Sequence, residues 1–81
     1  MDLMKLKKET HANSVDLISP KSGVGLEYLI INNFGSNWQM LDYKHISFLC
    51  DNNFKIEDIN YGTNNKGYYL LASRNFIFKV L

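Results

Sequence analysis

From Tyr68 to the last residue, Leu81, apolar side chains fall at odd and even positions alike. In an extended chain successive side chains point to opposite faces. A C-terminal ribbon built from this stretch is therefore apolar on both of its sides. A half-exposed antiparallel strand alternates apolar with polar residues instead. With Arg74-Asn75 as a two-residue turn between strands Tyr68–Ser73 and Phe76–Leu81, Ser73 faces Phe76, Leu71 faces Phe78 and Tyr69 faces Val80. Directly paired residues share a face, so this set reads as the core side. The other side carries Ala72 with Ile77, Leu70 with Lys79 and Tyr68 with Leu81. That side is also mostly apolar and needs a cover. The cover is a helix of the chain, its N-terminal segment, or a partner.

The chain upstream of this ribbon is β-like as well. Phe54 and Ile56 alternate with Lys55 and Glu57, and then Ile59 and Tyr61 take up the opposite phase. A one-residue slip of this kind predicts a β-bulge near Glu57-Asp58. Gly62 to Gly67 is rich in glycine and asparagine and reads as a loop.

With 81 residues the chain is one domain, near the lower limit of independent stability. Its one cysteine, Cys50, cannot form an intramolecular staple, so the core rests on packing alone. Apolar residues make up 46% of the chain, enough for a folded core. The first residues lack the apolar stretch of a signal peptide, and no apolar run is long enough to span a bilayer. These features predict a cytoplasmic protein without membrane contact. A net charge of +1 is too small to draw the whole molecule to nucleic acid. Ten Asn and eight Lys against a single Arg are the residue bias of an AT-rich genome, such as that of a low-GC bacterium, its phage or its plasmid.

Residues 1–13 are polar and weakly patterned, a candidate peripheral segment. Val15 to Ile18 reads as a short strand. Ser19 to Gly25, with one proline and two glycines, reads as a turn. Leu26, Leu29, Ile30 and Phe34 fall at helical spacing, with Ser19 or Ser22 as N-cap and Gly35 as C-cap. That predicts a helix over 26–34, with a strand from Glu27 to Asn32 as its rival because Ile30 and Ile31 are β-branched. Trp38 to Leu41 fits a helix start or a short strand. Tyr43, Ile46, Leu49 and Cys50 share a helix face, with Asp42 as N-cap and Asp51-Asn52-Asn53 as the stop. The expected fold is therefore α+β: a small single domain, one or two short helices packed on a C-terminal antiparallel sheet of about three strands.

No catalytic, metal or cofactor site is expected. His11 and His45 have no ligand at metal spacing. His45 and Cys50 are five residues apart, about 140° around a helix, a poor base–nucleophile pair, and Cys50 reads as a core residue. Gly23-Val24-Gly25 before a helix resembles a phosphate loop only weakly, since neither the Gly-Lys-Ser/Thr end nor the third dinucleotide glycine is present. Lys5, Lys7, Lys8 and Lys21 are the candidate contacts for an anion or nucleic acid.

The function expected from these features is a non-catalytic protein-binding module, a stoichiometric inhibitor or regulator from a phage or mobile element. Anti-defence proteins such as anti-CRISPR inhibitors are one such class, though no motif here points to them. Its partner is another protein or a second copy. Trp38, Tyr68, Leu70, Arg74, Ile77 and Lys79 are the candidate contact residues, on the apolar ribbon face or of types that dominate interfaces. The alternative is a winged-helix nucleic-acid binder with Ile56–Tyr61 as recognition helix. Its chemistry is unfavourable, because Glu57 and Asp58 would face phosphates with only Lys55 in support.

Overall fold

The computed structural model describes residues 2–21, 24–34, 43–63 and 66–77. Helix α1 (Leu3–Thr10) leads into strand β1 (Ser14–Ile18) and strand β2 (Val24–Asn33). Helix α2 (Tyr43–Asp51) follows, then strands β3 (Lys55–Tyr61) and β4 (Tyr68–Ile77). The sheet has four antiparallel strands in the order β1-β2-β4-β3. The class is α+β as expected, but the sheet draws half its strands from the N-terminal part of the chain.

Alternation on the two central strands decides which side is covered. On β2, Glu27, Leu29, Ile31 and Asn33 are buried, whereas Tyr28, Ile30 and Asn32 are half-buried. On β4, Tyr68, Leu70 and Ala72 are buried beside them. Leu6 of α1, Leu49 of α2 and Phe54 join the same core cluster, with Val15, Leu17, Ile46, Ile56 and Ile59 packed around it. Both helices therefore lie on this one side of the sheet.

The helix expected over 26–34 is a strand. Its helical spacing was a by-product of a strand apolar on both faces, which supplies apolar residues at nearly any spacing. Ten residues of β2 pair with ten of β4, and that long-range ladder outweighs the local pattern. Ser19 caps no helix there; its hydroxyl donates to the Glu27 carboxylate at 2.6 Å. Gly25 lies inside β2, where Pro20 packs so closely that an added Cβ would come within 2.9 Å of its Cγ. No helix N-terminus follows it, which removes the phosphate-loop reading. Gly35 and Asp42, the expected caps, and Trp38–Leu41 lie outside the described residues.

The Arg74-Asn75 turn is also absent. Arg74 and Asn75 sit within β4, opposite Glu27 and Leu26 of β2. The long β2 strand holds β4 extended past them, and the pair has no glycine to favour a turn. The hairpin is formed instead by β3 and β4. Its loop closes with the Gly62 N–H donating to the Gly67 carbonyl at 3.1 Å. A side chain at Gly62 would run into the Lys66 carbonyl, so glycine is required there.

The remaining elements follow local chemistry. The polar N-terminal segment, ambiguous by pattern, is helix α1. Asp2 caps it by accepting the Lys5 N–H at 3.1 Å, and His11 closes it in the left-handed conformation at φ 55°. Two residues past the end of α2, Asn53 is also left-handed at φ 67°. The bulge falls where the change of phase placed it: Ile56 faces Ala72, Asp58 faces Leu71, and Glu57 is the extra residue.

Candidate interaction surface

The register sorts the uncovered side of the sheet into cross-strand rows. Ser14, Asn32, Tyr69 and Asn60 form one row. Asp16, Ile30, Leu71 and Asp58 form the next. Ile18, Tyr28, Ser73 and Lys55 form a third, and Leu26 lies beyond it opposite Asn75. An apolar stripe thus runs along the two central strands, with polar and charged residues on the edge strands. No described helix packs on it. Ile18 is 52%, Leu26 45% and Val24 76% exposed. Tyr28, Ile30, Tyr69 and Leu71 are half-buried by their neighbours in the sheet. An apolar stripe that no described helix covers is a candidate interaction surface.

The rim is mainly acidic. Among the described residues of the rim, Asp16, Glu57 and Asp58 are exposed, against Lys55. Asp58 accepts the Asn60 side-chain N–H at 2.8 Å, and Glu57 accepts the Ser73 hydroxyl at 2.6 Å. Next to Ser73, Leu26 and Asn75 help line a hollow of about 340 Å³.

On the covered side, one polar cluster closes the end of the core. The Arg74 guanidinium donates to Glu27 Oε1, with Nε at 2.8 Å and Nη2 at 2.6 Å. Its Nη1 donates to the Asn52 carbonyl at 3.0 Å, and its plane lies over the Phe54 ring, 4.4 Å from the centroid. Burial by itself would push the Glu27 carboxyl up. The bonds from Ser19 and Arg74, with the Arg74 charge, outweigh that and hold it below its ordinary value. At the other end, the Tyr68 hydroxyl donates to the Thr10 carbonyl at 2.9 Å, satisfying an acceptor at the end of α1. Burial pushes the Tyr68 phenol up.

These positions redistribute the residues singled out from sequence. Tyr68 and Leu70 are core residues at 4% and 0% exposure. The ribbon face assigned to a partner is the face under the helices, and the face assigned to the core, with Tyr69 and Leu71, is the uncovered one. Because Arg74-Asn75 is not a turn, Ile77 continues the same strand rather than pairing back on Ala72. Its register position is opposite Val24. Arg74 is engaged in the core ion pair rather than free for a partner. Trp38, Lys79 and Leu81 lie outside the described residues. Cys50, expected in the core, is exposed.

Lys5, Lys7 and Lys8 are exposed on α1. Lys21, also exposed, follows β1 rather than lying on α1. The proposed recognition helix, Ile56–Tyr61, is part of strand β3, which removes the winged-helix arrangement. Among the described residues no group of His, Cys, Asp or Glu is placed to hold a metal ion, and no helix is long and apolar enough to cross a membrane.

Ile18, Leu26, Tyr28 and Ile30 were not singled out from sequence. The signal was present in the rival strand reading of Glu27–Asn32, which places Tyr28 and Ile30 on one face.

The fold is that of a small α+β domain, with the described helices on one side of a four-stranded antiparallel sheet. No family model matches it, and neither does any curated protein or solved structure.

Proposed function

We propose that this chain is a non-catalytic protein-binding module that docks through the open face of its sheet. The observation that supports this reading is the apolar stripe of Leu26, Tyr28, Ile30, Tyr69 and Leu71 on the side where no described helix packs. A sheet face of this composition is ordinarily buried against a second layer, and here a partner supplies it. The small size and the AT-rich residue bias fit a stoichiometric inhibitor or regulator carried by a phage or mobile element, working in a reducing cytosol where a lone cysteine stays reduced.

The test is affinity capture from cells of the source organism with wild type and with Ile30→Lys/Leu71→Lys, both checked for folding by circular dichroism. A captured protein retained by wild type and by Lys5→Glu/Lys8→Glu, but lost by the sheet variant, is the expected result. Capture unaffected by the sheet variant would refute the reading.

A further inference from the structure

Resting on the reading of the open sheet face as the docking surface, we infer that its partner presents a basic amphipathic helix, laid along β2 and β4 between the carboxylates of Asp16 and Asp58.

The width of the row carries the argument. Asp16, Ile30, Leu71 and Asp58 are consecutive cross-strand neighbours. Strands in a sheet are about 4.8 Å apart, so the two outer strands are about 14 Å apart. An α-helix with its side chains is about 10–12 Å across, and its apolar face fits over Ile30 and Leu71 between the two aspartates. Along the strand, the stripe runs from Asn32 to Val24, about 27 Å at about 3.3 Å per residue. A helix of about 18 residues covers that length.

Charge selects the sign of the flanks. The open face exposes Asp16, Glu57 and Asp58 against Lys55, and neither Asp16 nor Asp58 forms an ion pair with a described residue. Lysine or arginine beside an apolar helix stripe extends its stem over apolar surface while its charge reaches outward. On this face those charges meet Asp16 on one flank and Asp58 on the other. The same rim disfavours other occupants. A second copy laid face to face adds three more carboxylates to the first three, a like-charge cost. Nucleic acid and anionic lipid surfaces bring negative charge to a negative rim.

The experiment is an NMR titration of the ¹⁵N-labelled full chain at about 50 mM salt, where exposed charges are weakly screened. The probes are two 18-residue synthetic helices with one leucine stripe, flanked in one case by lysines and in the other by glutamates. The lysine-flanked helix is expected to shift the amides of Tyr28, Ile30, Tyr69 and Leu71. It should bind at least about tenfold tighter than the glutamate-flanked helix, from several exposed ion pairs acting together. Asp16→Lys/Asp58→Lys should reverse that preference. If both helices bind the open face equally, or the variant leaves the preference unchanged, the basic-helix inference is wrong while the face stands as a docking surface. If neither helix perturbs the face, or a dimer occupies it, the inference fails, and absence of any binding there counts against the protein-docking reading too.

Discussion

Both faces of the sheet's central strands carry apolar side chains, yet they differ in what packs on them. Beneath the helices, Leu29, Ile31 and Leu70 are fully buried and the polar groups among them are bonded: Glu27 to Arg74 and Ser19, Tyr68 to Thr10. On the other face, Tyr28, Ile30, Tyr69 and Leu71 are half-buried with no described helix over them, and carboxylates stand at the rim. Hydrophobicity alone does not separate the two. The difference lies in which parity the helices cover and where polar groups find partners.

The contrast makes ordered predictions. Leu70→Ala opens a cavity in the core and should cost about 3–4 kcal/mol in denaturant unfolding, whereas Leu71→Ala, one residue away, should cost less than about 1 kcal/mol. Equal costs would break the comparison. Arg74→Ala leaves the Glu27 carboxylate buried without its cation and should cost about 3 kcal/mol, softened by the surviving Ser19 bond. Tyr68→Phe removes one buried hydrogen bond to the end of α1 and should cost about 1 kcal/mol.

Glu27 sharpens the same contrast through pH. Its folded pKa lies below the ordinary value of 4.5. The unfolded state therefore binds the proton more readily, and stability from this group is present above about pH 4.5 and is lost as pH falls through the lower, folded pKa. Glu27→Gln should flatten the acid limb of the stability–pH profile.

What could be read from the sequence follows the same division. The β1 strand, the α2 helix with its stop at Asn52-Asn53 and the bulge at Glu57 rest on local signals: alternation, side-chain periodicity and a change of phase. The two central strands misled for one physical reason. An apolar residue at almost every position, from Leu26 to Ile31 and from Tyr68 to Ala72, fits several periods at once, so pattern cannot assign a face. What assigns it is long-range pairing, such as Arg74 with Glu27, 47 residues apart in the chain. The candidate surface was foreseeable as a kind of surface, a greasy sheet side in need of cover, but pattern did not tell which side, and the helices cover that of Leu70 rather than that of Leu71.

Neighbouring positions on β4 give the most direct test. In a Cys50→Ser background, which removes the exposed native thiol, Leu70→Cys and Leu71→Cys are each treated with a thiol reagent under native conditions. The opposite-face arrangement predicts that Leu71→Cys reacts in the folded protein, while Leu70→Cys reacts only as fast as the protein unfolds. Rapid labelling at position 70 with protection at position 71 would contradict it, and would return the ribbon to the orientation expected from sequence.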